Sequence, residues 1–170
     1  EDHRTHDGTL QASDTAKDTC HPCFHCSIGE ADSHENKLVI LTEQQSTLYG
    51  NGVKLAHAEE EIKELSLLLA APIVTTYNAM AAVESSFENL VGPRTRHGSE
   101  ISKAALEESD CVITVGSTLT AISTNRWDLK IHNMIQFDII PENIGRHYPA
   151  KVGVVGDAKA GLRSLIDTLK

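Results

Sequence analysis

Short apolar runs alternate with helix-like segments from Leu38 to the end of the chain, and this alternation restricts the fold more than any other feature of the sequence. The runs are rich in valine, isoleucine and threonine, which is typical of buried strands. Because helical patterns separate them, the sequence predicts an α/β domain of βα units around a parallel sheet. The predicted strands are Ser46–Tyr49, Pro72–Thr76, Cys111–Val115, Met134–Ile139 and Val152–Val155.

Three helices are predicted between and after these strands. Ala56–Ala70 repeats apolar residues at helical spacing and carries three glutamates in its first turn, where the helix dipole favours negative charge. A second helix starts behind Ser99 and a third behind Asp157, since both residue types are good N-caps. The third helix runs to the end of the sequence.

The first 37 residues differ in composition from the rest. They contain eight acidic and three basic residues and almost no aliphatic side chains. Such a segment cannot bury enough apolar surface to offset the entropy lost on ordering. We therefore divide the chain into a polar, poorly ordered arm, 1–37, and a domain, 38–170. Leu38–Gln44 is interpreted as a short helix that leads into the domain, with a strand as the alternative.

Charge and cysteine content argue against several classes of protein. A net charge of −9 at pH 7 disfavours a nucleic-acid backbone or an anionic membrane as the main partner. No apolar stretch is long enough to cross a bilayer, and the first residues lack the apolar core of a signal peptide. Three of the four cysteines lie in the arm and Cys111 lies in a strand, so we expect a reducing, cytoplasmic location and an inert core thiol at Cys111.

The densest group of potential metal ligands lies in the arm, at Cys20-His21-Pro22-Cys23-Phe24-His25-Cys26. Three thiolates and one imidazole at this spacing could bind a tetrahedral Zn²⁺. A closed zinc site usually takes its second pair of ligands from a distant part of the chain, and here the arm offers only scattered histidines. An oxidation-prone linker is therefore the preferred interpretation.

Three predicted strands end at glycine, before Gly50, Gly116 and Gly156. The carboxyl ends of parallel strands share one edge of a sheet, and ligands bind in the crevice beside that edge. Small residues there let backbone amides approach a phosphate, although a glycine can also simply turn a strand into a helix. The edge is the candidate binding surface.

A nicotinamide-binding site is disfavoured by two departures from the dinucleotide fingerprint. Leu55 stands where the third glycine of G-x-G-x-x-G is required, and Thr75-Thr76-Tyr77 replaces the acidic residue that would hold a ribose. Ser-His-Asp order, HExxH and Walker loops are also missing from the sequence. Self-contained hydrolase chemistry is therefore unsupported.

The order and separation of six segments resemble the central domain of thiamine-diphosphate-dependent enzymes, in the branch that contains acetolactate synthase, benzoylformate decarboxylase and oxalyl-CoA decarboxylase. The resemblance covers about Leu38 to Lys170. It implies about six parallel strands in a doubly wound, Rossmann-like sheet with helices on both faces. The segments are Tyr49–Val53, Ala71–Thr76, His97–Ser99, Ser109–Ser117, Phe137–Gly145 and Val155–Lys159.

The resemblance also implies a set of cofactor-binding positions at the strand ends, which some relatives use for FAD, others for ADP and others leave empty. FAD is less expected here, because Gly116-Ser117-Thr118 replaces a Gly-Ala-Arg sequence and Asp138-Ile139-Ile140 replaces Asp-Ile-Asp. An adenine nucleotide or an empty site fits better. The matching positions are Gly50, Gly52, Thr75, His97, Gly98, Gly116, Asp138, Asp157 and Ala158.

In the family, thiamine diphosphate and Mg²⁺ bind two flanking domains, through an activating glutamate and a Gly-Asp-Gly…Asn motif. Gly156-Asp157-Ala158 is not that motif. The resemblance thus implies the non-catalytic centre of a 2-keto acid decarboxylase or carboligase, with flanking catalytic domains or subunits as partners in a homo-oligomer. A free-standing nucleotide-binding or regulatory subunit is the alternative.

Two further groups invite a role. Arg94, Arg96 and His97 form a compact basic cluster, which would suit a diphosphate or a neighbouring domain. Trp127 is the sole tryptophan, and either an interface or burial within the domain would accommodate it.

Overall fold

The structure is a computed structural model that describes residues 44–95 and 98–170. The predictions for the acidic arm, for the Cys20–Cys26 group and for most of Leu38–Gln44 lie outside the described residues. Arg96 and His97 lie outside them as well.

Six strands and four helices make up the described part of the chain. The strands are β1 Gln45–Tyr49, β2 Ile73–Thr75, β3 Leu90–Pro93, β4 Cys111–Val115, β5 Met134–Asp138 and β6 Val152–Val155. The helices are α1 Asn51–Leu55, α2 Glu59–Leu69, α3 Glu100–Glu107 and α4 Ala158–Leu169, and single 3₁₀ turns cover Tyr77–Ala79 and Pro141–Asn143.

All neighbouring strands pair in parallel, in the order β3-β2-β1-β4-β5-β6. The chain builds outwards from β1 in one direction and from β4 in the other. The carboxyl ends of β1 and β4 therefore form the topological switch point, where open α/β sheets bind ligands. The expected doubly wound parallel sheet of six strands is confirmed.

Alternation along the strands separates two apolar layers. On one face, the core side chains of the strands pack against Ile62 of α2 and against Leu162 and Ile166 of α4. On the other face, they pack against Leu106 of α3 and against the segment between β4 and β5. Helices thus cover both faces, and the sheet is the middle layer of three.

Side-chain caps explain where two helices start. The Ser99 hydroxyl accepts from the Ile101 amide at 3.1 Å, and Asp157 Oδ1 accepts from the Ala160 amide at 3.0 Å. Each contact satisfies one of the amides that lack a partner in the first turn of a helix. Both predicted N-caps are confirmed.

Two elements differ from the sequence prediction. The predicted helix Ala56–Ala70 is observed as α2, which starts at Glu59 because the chain takes a left-handed conformation at His57 (φ 50°). The short helix α1, which precedes His57, was not predicted. β3 was not among the predicted strands, since it is four residues long and contains Gly92 and Pro93. It forms one edge of the sheet, where a proline costs no ladder hydrogen bond on the open side.

Across residues 44–95 and 98–170, no helix combines the length and the apolar character that crossing a bilayer requires.

A candidate ligand-binding cleft at the carboxyl edge of the sheet

A cleft of about 310 Å³ opens at the carboxyl ends of β4, β5 and β6, beside α1. Small-molecule sites usually measure about 300–1,000 Å³, so this cleft is at the small end of that range. Its walls come from four loops that follow strands. The lining residues are Gly52, Leu55, Ala56, Gly116, Thr118, Phe137, Asp138, Ile139, Asn143, Gly156, Asp157 and Ala158.

Five of the nine positions that the resemblance singled out line this cleft: Gly52, Gly116, Asp138, Asp157 and Ala158. Gly50 lies just behind them, whereas Thr75 is buried on β2, on the opposite side of β1. Gly98 follows β3 and lies apart from the lining, and His97 is outside the described residues. The structure therefore gathers the predicted residues of β4, β5 and β6 and separates those of β2 and β3 from them.

Three glycines meet at the switch point because their backbones touch. A Cβ on Gly52 would lie 2.6 Å from Gly116 Cα, and a Cβ on Gly116 would lie 2.6 Å from Gly52 Cα. Gly50 is packed as closely against the Gly116 carbonyl. Gly116 also has φ +58°, a conformation that side chains other than glycine disfavour. Glycine is thus required here by packing alone.

The amides of these glycines already have acceptors. Gly50 N donates to Val115 O at 2.9 Å, Gly52 N to Gly116 O at 3.0 Å and Gly116 N to Phe137 O at 2.8 Å. Gly156 N likewise donates to Asp138 O at 3.0 Å. A phosphate-binding loop needs free amides that point at the ligand. These four hydrogen bonds join the segments that follow neighbouring strands. None of the four glycine amides is therefore free to bind a phosphate.

Asp138 is the fixed polar group of the cleft. Its side chain is 7 % exposed, and Oδ1 accepts from the Ile140 amide at 2.9 Å and from Asn143 Nδ2 at 3.1 Å. These two bonds hold the carboxylate in one plane and leave Oδ2 for another donor. The group can accept a hydrogen bond from a ligand hydroxyl.

Gln136 and Asn143 hold the loop after β5 in place, and neither residue was predicted from the sequence. Gln136 Nε2 donates to Asn143 O at 3.0 Å, and Gln136 Oε1 accepts from the Gly145 amide at 2.9 Å. Gln136 is 1 % exposed, so both bonds are shielded from water. The signal that could have revealed it is a glutamine inside the apolar run of β5.

The charge and polarity of the walls are uneven. Leu55 and Ile139, 75 % and 69 % exposed, line the cleft together with the buried ring of Phe137. Asp138 and Asp157 supply negative charge, and no lining residue is a lysine or an arginine. The cleft therefore suits a flat, largely apolar group with hydroxyls more than a highly anionic group.

The described residues do not match a site for Mg²⁺ and thiamine diphosphate. Asp157 Oδ1 accepts the hydrogen bond that caps α4, and the next residue is the buried Ala158. Within residues 44–95 and 98–170, no three histidine, cysteine, aspartate or glutamate side chains come together as metal ligands.

Two further expectations can be compared with the structure. Cys111 is 1 % exposed, so its expected place in the core is confirmed. Burial raises the pKa of its thiol to about 11, which disfavours the reactive thiolate. Trp127 is 51 % exposed, so the interpretation that it is buried within the domain is wrong. Its ring lies 5.5 Å from the His147 ring, between centroids.

Comparison with known proteins agrees with the fold. The sequence model of a family described as the central domain of thiamine pyrophosphate enzymes matches residues 40–165. Acetolactate synthase of Mycobacterium avium is 33 % identical over 139 residues, which are 80 % of this chain and 22 % of that protein. Sulfoacetaldehyde acetyltransferase of Roseovarius nubinhibens is 32 % identical over 146 residues, which are 82 % of this chain and 24 % of that protein.

The acetolactate synthase large subunit of Corynebacterium glutamicum is 32 % identical over 139 residues, which are 79 % of this chain and 22 % of that protein. The chain thus spans between a fifth and a quarter of the length of these relatives. The matched family, the strand order and the agreement with acetolactate synthases lead to one assignment: the chain belongs to the central-domain family of thiamine pyrophosphate enzymes, in the branch of acetolactate synthase.

Proposed function

We propose that this chain is the non-catalytic central domain of a thiamine-diphosphate-dependent enzyme acting on a 2-keto acid, and that its cleft holds the nucleoside end of an adenine nucleotide. The family and the relatives support the first part. Thiamine diphosphate and Mg²⁺ would bind flanking domains or subunits, which would be partners of this domain in a cytoplasmic homo-oligomer. The polar segment 1–37 would lie outside the domain, 38–170.

The observation that carries the nucleotide proposal is the immobilised carboxylate of Asp138 inside the cleft. Ribose offers two neighbouring hydroxyls, and an acidic side chain at a strand end is the usual acceptor for them in α/β folds. Asp138 Oδ1 is held by Ile140 N and Asn143 Nδ2, so no reorganisation is needed before Oδ2 accepts. The rim residues Leu55 and Ile139 would contact the faces of an adenine ring.

The same walls favour ADP over more highly charged or larger ligands. With two carboxylates and no cationic side chain in the lining, each added phosphate gains no cationic partner in the cleft. The glycine amides are bonded to carbonyls and offer none either. The phosphates of a bound nucleotide would therefore point towards solvent, and the cleft would contribute little affinity for the flavin half of FAD.

Calorimetric titration of the protein with ADP tests the proposal. Asp138→Ala should weaken ADP binding about 10- to 100-fold, the usual effect of losing a hydrogen bond to a charged group. Asp138→Asn keeps an acceptor for the Ile140 amide, so its affinity for ADP should lie between those of the parent and of Asp138→Ala. Glu142→Gln removes the same charge from an exposed side chain that does not line the cleft, so it should bind ADP as the parent does. Equal affinities of the parent and Asp138→Ala, or no binding by the parent, would refute the nucleotide proposal.

A further inference from the structure

Arg94 is a buried cation that has no acidic partner among the described residues. It follows β3 directly, is 4 % exposed, and its amide donates to Thr75 O at 2.7 Å, which places it at the carboxyl edge beside β2. Its guanidinium donates from Nη1 to Thr95 O at 3.3 Å, and the buried Nε has no partner. Every ion pair among the described residues involves other side chains.

A buried guanidinium destabilises the folded protein unless an opposite charge or hydrogen-bond acceptors interact with its N–H groups. Arginine keeps its proton in proteins, so it cannot escape burial by becoming neutral. Buried charges are for this reason nearly always paired or fully hydrogen-bonded. One hydrogen bond at 3.3 Å, from a group with five N–H donors, leaves most of that requirement unmet.

We propose that Arg94 binds a phosphate group of a small-molecule ligand at the carboxyl edge of β2 and β3. A phosphate presents several oxygens that can accept from the guanidinium N–H groups together, whereas a carboxylate has only two. The carboxyl edge of a parallel sheet is also where phosphate-bearing ligands bind. β2 and β3 lie on the other side of β1 from the cleft, so this site does not depend on the nucleotide proposal.

Thermal unfolding of the protein in inorganic phosphate, compared with sodium chloride at equal ionic strength, tests the site. We expect 10 mM phosphate to raise the midpoint by about 2–5 °C. Arg94→Met should abolish this rise, and without phosphate its midpoint should equal or exceed that of the parent, because an unpaired buried charge is replaced by an apolar side chain of similar length. Arg146→Met, at an exposed arginine, should respond to phosphate as the parent does.

A milder variant keeps the test decisive if Arg94→Met does not fold. Arg94→Lys keeps the charge but loses the planar fork, so it should reduce the phosphate response. A purely structural role for Arg94 makes Arg94→Met less stable and leaves the phosphate response unchanged, which would overturn the proposal. An equal rise with acetate at the same ionic strength would overturn the assignment to phosphate.

Discussion

At the scale of single residues, the sequence predicted which glycines lie together at the edge of the sheet. It did not predict whether their amides are free to bind a ligand. The apolar patterns locate β1 and β4 well, and these strands are followed by Gly50, Gly52 and Gly116. Because the strands are parallel, the three glycines lie at the same edge of the sheet. Whether their amides are free depends on sub-ångström packing of three loops, which no local pattern encodes. Here the close backbone contact gives each amide a carbonyl acceptor.

Gly116→Ala should destabilise the protein by about 3 kcal/mol, because it combines a left-handed conformation with a clash against Gly52. Gly145→Ala is the matched control, since Gly145 has φ +69° but the nearest atom to an added Cβ is 3.8 Å away. It should cost only about 1 kcal/mol, the conformational part alone. Urea denaturation measures both, and equal losses would show that the backbone contact at Gly116 is not tight.

Polar residues in the core were the hardest to predict. Asp138 was identified from its place at a strand end, but Gln136 and Asn143, which bond to one another and to the loop around Asp138, were not. Gln136 bonds to backbone groups and Asn143 Nδ2 to the Asp138 carboxylate, and both sets of contacts depend on the path of the loop after β5. Sequence spacing says nothing about that path, so the support of the site became visible only in the structure.

At the scale of secondary-structure elements, strong periodicity predicted most of the fold. The apolar runs located β1, β2, β4, β5 and β6 to within two residues at either end, and two caps located the starts of α3 and α4. β3 was missed because a four-residue edge strand with a glycine and a proline has almost no pattern. The break between α1 and α2 depends on one left-handed residue, His57, which helix propensity does not anticipate.

α2 and α4 are joined by ion pairs that should make stability depend on pH. Arg163 Nη1 lies 2.7 Å from Glu64 Oε2, and Lys170 Nζ lies 2.6 Å from Glu64 Oε1. Hydrogen bonds from Lys170 and Arg163 lower the pKa of Glu64 in the folded protein. A depressed folded pKa gives stability that is present above the ordinary glutamate pKa and is lost as the pH falls through the folded value.

We therefore expect Glu64→Gln to lower the urea midpoint at pH 7 and to reduce the loss of stability on acidification towards pH 3. The effect should be modest and should shrink in high salt, because these side chains are partly exposed. Glu142→Gln, at an exposed glutamate for which the described residues show no ion pair, provides the comparison. Identical pH profiles for the parent and Glu64→Gln would contradict this account.

At the scale of the whole molecule, the sheet places two different kinds of polar group on opposite sides of β1. The cleft over β4, β5 and β6 is acidic and lined by exposed aliphatic side chains, whereas the edge of β2 and β3 carries the buried Arg94. Among the described residues, none of these groups assembles into a metal centre. In our proposal the chain, which spans about a fifth of the length of its acetolactate synthase relatives, binds a nucleotide and supports flanking catalytic domains.

A crystal structure of the protein grown with ADP tests the central claim most directly. We predict electron density for adenosine in the cleft, with the adenine ring beside Leu55 and Ile139. A ribose hydroxyl should lie about 2.7 Å from the Asp138 carboxylate, the usual distance for a hydrogen bond to such a group. Adenosine bound elsewhere on the domain, or a cleft that holds only water at saturating ADP, would contradict it.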